Sequence, residues 1–190
     1  MKKTLFLIVA LLVANLSANA QDDAKGKAIV DKLMAAAKTW TSFEADFSSR
    51  LQSTKDKLDV KQEGNMKVKG KKFRLQLDKN TVINDGTTMI FTQYEKGFKV
   101  QFVEEKTDAT GTVVQVVKLF PTDAGKKPYH TVVLTVDKAK NEPKSVQVLY
   151  KDGNIVTYTL KKFTANAALA DALFTFDKAK YPGVEVNDMR

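Results

Sequence analysis

His130 is the only histidine in the sequence, and its neighbours decide what chemistry it can support. It stands between Tyr129 and Thr131 in a stretch that alternates like a strand. A metal centre needs several converging ligands, and a nucleophile–base pair needs a Ser, Cys or Thr held against the imidazole. No second histidine and no cysteine is present to complete either arrangement, so His130 reads as a surface residue. Carboxylates occur side by side at Asp22-Asp23 and Glu104-Glu105. Both pairs lie in exposed-looking stretches, and adjacency in sequence is not the facing geometry of acid–base catalysis on a glycosidic bond. No Walker-type loop, GxGxxG or GxSxG pattern occurs. The sequence offers no catalytic residue, no metal ligand and no cofactor site, and an enzyme is not expected.

The large apolar side chains carry more information. Phe43, Phe47, Met66, Phe73, Met89, Phe91, Phe98 and Phe102 fall on the parity sets of strand-like stretches, and Leu75 shares parity with Phe73. Each taken alone is an ordinary core residue by burial preference. Together they have the size and adaptability to line a cavity for an irregular apolar ligand. The formal charge of +9 raises nucleic acid or an anionic membrane surface as partners. However, Lys67, Lys69, Lys71, Lys72 and Lys79 are dispersed, and many lysines alternate with apolar residues. That is the pattern of a solvated sheet face, and no nucleic-acid partner is expected.

The elements that must position these side chains begin after a removable leader. Lys2 and Lys3 precede the nearly unbroken apolar run from Leu5 to Val13, and Ala18-Asn19-Ala20 is a small-x-small cleavage site. This is the layout of a secretory signal peptide; the apolar run is shorter than the about 20 residues that span a bilayer. Residues 1–20 are therefore expected to be cleaved after Ala20, leaving 21–190 as one exported domain. With no cysteine, that domain gains nothing from disulfides and has no acylated N-terminus; a soluble protein is expected.

Asp22 to Lys38 reads as one amphipathic helix, with Ala28, Ile29, Leu33, Ala36 and Ala37 on one side. The period then changes to two: Phe43, Ala45, Phe47, Ser49 and Leu51 alternate with Glu44, Asp46, Ser48 and Arg50. Further alternating stretches follow at Leu58 to Val68, Phe73 to Leu77, Phe98 to Phe102, Val113 to Phe120, Tyr129 to Val136, Ser145 to Tyr150 and Asn154 to Phe163. Asn84-Asp85-Gly86 and Asp152-Gly153-Asn154 are hairpin signals. Ala165 to Leu173 reads as a short helix or a crossing segment. The expected fold class is mainly β with helices (α+β): a curved antiparallel sheet, an incomplete β-barrel, covered by the N-terminal helix. A helix of about 15 residues extends only about 22 Å, too little to cover so many strands. The remaining apolar face must curl on itself, meet other helices, or meet a ligand.

Several stretches resemble the LolA family of periplasmic outer-membrane lipoprotein carriers. They are Trp40-Thr41-Ser42-Phe43-Glu44-Ala45-Asp46-Phe47, the run from Gly64 through Lys67 and Phe73 to Leu75, and Asn84-Asp85-Gly86-Thr87-Thr88-Met89. The ending, Phe174-Thr175-Phe176-Asp177 and Tyr181-Pro182-Gly183-Val184 through Arg190, is similar to that of the family's Bacteroidetes branch. The resemblance implies an apolar cavity for acyl chains, for which Phe43, Phe47, Met66, Phe73, Leu75, Met89, Phe91 and Phe98 are the candidate lining. It implies acylated lipoproteins as cargo, an inner-membrane lipoprotein-releasing transporter as donor, an outer-membrane acceptor, and a monomer that works in the periplasm. A lipid-binding or lipoprotein-sensing module of the same fold is the alternative. Two departures stand out. About 20 residues of the family pattern, including a lid helix, are missing after Met89, and the family's latching arginine falls near Gly70 or Lys71, since Arg74 aligns beside the strand's aromatic instead.

Overall fold

The computed structural model describes residues 23–78, 80–84, 97–177 and 179. Asp23 caps the first element: its carboxylate accepts from the backbone N–H groups of Lys25 at 2.9 Å and Gly26 at 3.4 Å, satisfying donors a helix start leaves orphaned. Helix α1 follows over Ala24–Lys38, with Gly26, Ile29 and Leu33 buried. Asp22, where the sequence pattern begins, lies outside the described residues. The Thr39 N–H returns to the Ala36 carbonyl at 3.0 Å and the Trp40 N–H to that of Ala37 at 3.1 Å, closing the helix.

Nine strands then run β1 (Ser42–Ser53), β2 (Leu58–Lys69), β3 (Lys72–Leu77), β4 (Asn80–Asn84), β5 (Phe98–Thr107), β6 (Val113–Pro121), β7 (Tyr129–Asp137), β8 (Glu142–Tyr150) and β9 (Asn154–Ala165). They form one antiparallel sheet in the order β4-β3-β2-β1-β9-β8-β7-β6-β5. Only the β1–β9 pairing is non-sequential; it joins the hairpins of the first half to those of the second. Among the described residues the sheet does not close, and β4 and β5 are its edges. Gly70, at φ +57, makes the tight Lys69-Gly70-Lys71-Lys72 hairpin turn, where positive φ is required. Gly70 and Lys71, where the family pattern puts a latching arginine, are thus turn residues. The flanking Lys69 and Lys72 each reach Asp171 at 3.3 Å.

The segment read as a helix or crossing piece after residue 165 is a strap ending in a single 3₁₀ turn, Asp171–Phe174. Asn166 turns the chain at φ +53, its N–H bonds the Ser42 carbonyl at 2.7 Å, and its side chain accepts from the Thr41 N–H at 2.9 Å. Ser42 Oγ donates to the Ala167 carbonyl at 2.6 Å, and Lys69 Nζ to that of Leu169 at 3.0 Å.

The apolar interior has two parts. Ile29 and Leu33 of α1 pack with Val100, Val117, Leu119, Val132, Leu134 and Val136 of β5, β6 and β7, with Val146 and Val148 of β8 at the margin. Full burial of each such side chain contributes about 1.5–3 kcal/mol. The second cluster is Phe43, Ala45 and Val68, packed with Met66, Phe73, Leu160 and Phe163. Trp40 touches both clusters, and its ring lies 4.9 Å from Phe163 and 6.4 Å from Phe43.

Candidate functional site

Strand register brings the second cluster and its surroundings onto one face. Phe43, Ala45, Phe47 and Leu51 stand opposite Val68, Met66, Gly64 and Val60 of β2. Val68, Met66 and Gly64 in turn stand opposite Phe73, Leu75 and Leu77 of β3, and Leu75 opposite Val82 of β4. On the other side of β1, Ala45, Phe47, Ser49 and Leu51 pair with Phe163, Leu160, Tyr158 and Val156 of β9. Val156 and Tyr158 face Val148 and Val146, so this face is continuous with the one that α1 covers over β5–β8. Among the described residues α1 is the only α-helix, and it packs on β5, β6 and β8. The five strands β4, β3, β2, β1 and β9 keep much of their half of the face open.

The strand side chains of that half carry no charge among the described residues; the turn carboxylates of Asp56 and Asp78 reach only its margin, at Ser53 Oγ (2.8 Å) and Gln62 Nε2 (3.2 Å). Its polar members are Ser49, Ser53, Gln62, Asn80, Asn84 and Asn154, with the phenol of Tyr158. Burial, with Tyr150 adding, raises the Tyr158 pKa above its ordinary value, so the phenol is neutral too. The charges go to the opposite face, where they pair: Lys67 with Glu44 at 2.6 Å, Arg50 with Asp59, and Lys161 with Glu63 at 2.6 Å. Hydrogen bonds from Lys67 and then Asn65 hold the Glu44 carboxyl below its usual range. On the uncharged face Leu51, Leu58, Val60, Val82 and Tyr158 remain 36–46% exposed. Several large apolar side chains left together in water mark a binding surface more often than an accident of packing.

The face has an inner and an outer part, divided by Phe47. A methyl group built on Gly64 would lie 2.4 Å from Phe47 Cζ, so the ring rests directly on the glycine backbone, where any side chain would displace it. Its other neighbour is Tyr158, ring to ring at 6.1 Å. Inward lie Phe43, stacked on Phe163 at 5.6 Å, Met66 and Phe73; outward lie Leu51, Leu58 and Val60.

Of the candidate residues read from the sequence, Phe43, Phe47, Met66, Phe73 and Leu75 come together here. Phe98 belongs to the cluster beneath α1, at the far side of the sheet. Met89 and Phe91, and with them the shortened segment after Met89, lie outside the described residues. Sequence reasoning did not single out Trp40, Tyr158, Leu160 or Phe163. A bulge explains part of that: the β1–β9 register shifts between Asp46 and Phe47, so Asp46 pairs with Lys162 while Phe47 pairs with Leu160. Lys161 is the extra residue, and Phe163 thereby joins the face of Tyr158 and Leu160 although its parity is opposite.

The groups considered for chemistry are otherwise occupied. His130 is exposed, with Nδ1 2.8 Å from Thr131 Oγ1. Glu105 accepts from Lys138 at 2.6 Å and Gln115 at 2.9 Å, and Glu104 pairs with Lys106. Asp23 is not a loose surface carboxylate. Besides capping α1, its Oδ2 accepts from the Phe102 N–H at 2.9 Å and its own N–H donates to the Val100 carbonyl at 3.1 Å. The Phe102 bond is the leading cause of its lowered pKa. No group of three potential metal ligands occurs among the described residues. An open cleft of about 440 Å³ of mixed lining lies between Thr41, Ser42, Lys69 and the strap at 166–170.

Residues 92–177 match the family model described as outer membrane lipoprotein carrier protein LolA. Comparison with curated protein sequences gives no match. Among solved structures, an uncharacterized conserved protein from Thermus thermophilus superposes with a TM-score of 0.54 at 11% identity, covering 81% of this chain and 95% of that one. This is a likeness of fold. The lipoprotein LppX of Mycobacterium tuberculosis gives 0.48 at 14% identity, covering 78% of this chain and 98% of its own. A LolA superfamily protein of Nitrosomonas europaea gives 0.34 at 12% identity, covering 80% and 98%.

Proposed function

We propose that this LolA-type protein is a periplasmic carrier that takes the acyl chains of lipoproteins onto the uncharged face of β4, β3, β2, β1 and β9 and delivers them toward the outer membrane. The observation that carries the reading is that face: five strands whose side chains on it carry no charge, aromatic at one end, half-exposed at the other. An acyl chain anchors its protein by about 0.8 kcal/mol per buried methylene, and two chains anchor it stably. Crossing an aqueous compartment therefore requires an apolar surface that replaces the bilayer for most of each chain. Phe47, Met66 and Leu75 would form the floor of that surface, with Phe43 and Phe73 packed behind them, and Leu51, Leu58, Val60 and Tyr158 its outer rim. Secretion with cleavage after Ala20, a releasing transporter as donor and an outer-membrane acceptor belong to the same reading. So does the absence of catalysis, since the cargo is to be held and released unchanged.

The test is uptake of a purified acylated lipoprotein from inner-membrane vesicles. Val60 is about half exposed, so Val60→Glu leaves the core intact but puts a charge against the bound chain. Uptake should fall by about tenfold or more, given what a buried unpaired charge costs. Gln52→Glu, a charge on the opposite face, should leave uptake unchanged. Equal uptake by Val60→Glu and the native protein would overturn the assignment of the face, and recovery of deacylated cargo would overturn the non-catalytic reading.

A further inference from the structure

We propose that the free edge of β2 at Asp59 and Lys61 receives, as an added strand, the extended polypeptide segment that follows the acylated residue of a bound lipoprotein. The inference rests on the carrier reading above. β1 and β2 pair along all 12 residues of each, from Ser42↔Lys69 to Ser53↔Leu58, without a register shift. β3 covers only the part of β2 from Gly64 to Lys69. Beyond it β2 continues to Leu58 with one side unpaired by any described strand.

The direction of the free groups follows from Asp78. Its N–H donates to the Glu63 carbonyl at 3.1 Å, and its Oδ1 accepts from the Glu63 N–H at 3.3 Å. Both backbone groups of Glu63 thus point away from β1. Since direction alternates along an antiparallel strand, those of Lys61 and Asp59 point outward as well. Asp78 acts as one more residue of strand, and then, at φ +48, turns the chain back into β4. The edge it leaves has no proline and no bulge, two of the devices by which exposed edges are blunted, and the charges of Asp59 and Lys61 stand on the face opposite the acyl site. The opposite edge shows what closure looks like here: Asp23 takes the outward Val100 carbonyl and Phe102 N–H of β5, and β5 bulges between Phe102 and Glu104.

The occupant follows from continuity. Leu58 and Val60 extend from this edge strand onto the uncharged face, so a strand laid beside β2 would turn every second side chain toward the acyl site. The polypeptide of a lipoprotein begins where its acyl chains are attached, so it must leave the site across one of the margins. Pairing through backbone groups is indifferent to sequence, which suits a carrier of many cargoes. Asp59 is held on the other face by Arg50, leaving its backbone clear of its own side chain.

The experiment uses the mature protein and three probes: a diacylated single amino acid, the same lipid on a polar eight-residue peptide, and that lipopeptide N-methylated at alternate residues. The lipopeptide should bind about tenfold tighter than the acylated amino acid, N-methylation should abolish that gain, and exchange of the Asp59 and Lys61 amides should slow with the lipopeptide alone. Lys61→Pro removes an N–H that no β1 bond uses, a substitution edge strands tolerate. It should erase the gain and leave binding of the acylated amino acid within about twofold. If that variant misfolds, the N-methylated probe on the unaltered protein reads the same edge. Equal binding of all three probes overturns the added strand and leaves the carrier reading standing; failure of all three to bind overturns both. A ligand-free dimer with slowed exchange at Asp59 and Lys61 would mean that a second copy of the chain takes the edge, and would also overturn the inference.

Discussion

Gly26→Ala asks how tightly α1 is seated on β5, and here two effects of opposite sign compete. A Cβ at Gly26 would stand 2.7 Å from the Phe102 nitrogen, 3.0 Å from the Gln101 carbonyl carbon and 3.1 Å from Val100 Cγ1. Ordinary contact is about 3.5 Å or more, so the first turn of the helix must lift by roughly 0.8 Å. The obstacle is backbone of a strand already paired with β6, which cannot give way without breaking its ladder. Overpacking of this kind costs about 1–3 kcal/mol. Lifting the turn also stretches both bonds that tie Asp23 to Val100 and Phe102. Against this, alanine is better than glycine by about 1 kcal/mol in a helix interior, and by less in the first turn, where Gly26 is the third residue. The clash wins by about 1–2 kcal/mol, equivalent for a chain of this size to a Tm lowered by roughly 2–8 °C. Urea unfolding followed by far-UV circular dichroism should show a lower midpoint with an unchanged slope. A variant as stable as the native protein, or more so, would refute the close seating of the helix.

Salt separates apolar binding from binding by the dispersed lysines. Affinity for a diacylated ligand should change by less than about threefold between low and moderate salt, under roughly 0.7 kcal/mol, as measured by titration calorimetry. Trp40 is the only tryptophan and borders the open face through Phe43 and Phe163, so ligand binding should shift its emission maximum to the blue; a spectrum unmoved at saturation would contradict the position of the site. Asp108 accepts hydrogen bonds from Thr110 and Thr112, which lower its pKa from 3.8 to about 2. Because the folded value is the lower one, the stability it contributes is fully present above about pH 4 and is lost as pH falls toward 2. The Tm gap between the native protein and Asp108→Ala should therefore narrow over that interval.

The helix and the strands were legible because their periods are local. The three- and four-residue spacing of Ala28, Ile29, Leu33, Ala36 and Ala37 announces α1, and alternation announces β1 over Phe43–Leu51, within the observed Ser42–Ser53. What sequence could not supply was the effect of distant pairing. β8 begins at Glu142, three residues before the alternation at Ser145, because a register shift between Thr135 and Val136 lets Pro143 face Val136. The bulge at Asp46/Phe47 does the same to β9 and brings Phe163 to the site. Asp23 finds Phe102 across 79 residues of chain, and nothing in its neighbourhood announces that partner. Phe43, Phe47, Met66, Phe73 and Leu75 were recoverable as one set because β1, β2 and β3 pair as consecutive hairpins, for which alternation and turn position fix the register. Phe98 shares their alternation but enters the sheet at the other edge, where α1 covers the face.

The division of one continuous face between a covered and an open half lets stability and binding be set separately. Over β5–β8 the apolar side chains are closed off by Ile29 and Leu33, and this core, with the smaller one of Phe43, Ala45 and Val68, is buried without a ligand. Over β4, β3, β2, β1 and β9, Leu51, Leu58, Val60 and Val82 stay in water, so their burial is deferred until something covers them. Each would contribute at most about 1.5–3 kcal/mol if fully buried, and being partly buried already, each contributes less to an acyl chain that arrives. A carrier gains from that shortfall, since a surface that recovered the whole membrane-anchoring energy of its cargo could not pass the cargo on. The prediction that distinguishes this arrangement from a simple open core is additivity. Leu51→Ser and Val82→Ser stand on different strands, separated by β2 and β3, and share no partner in the register. Leu51 and Val82 are 36% and 42% exposed, so on the unliganded protein each substitution should cost about 1–2 kcal/mol, the share of burial already realised. On ligand affinity a further loss should appear for each, and the two losses should sum. If neither variant weakened binding while both lowered stability, the open half would be core, and its exposure would have no functional meaning.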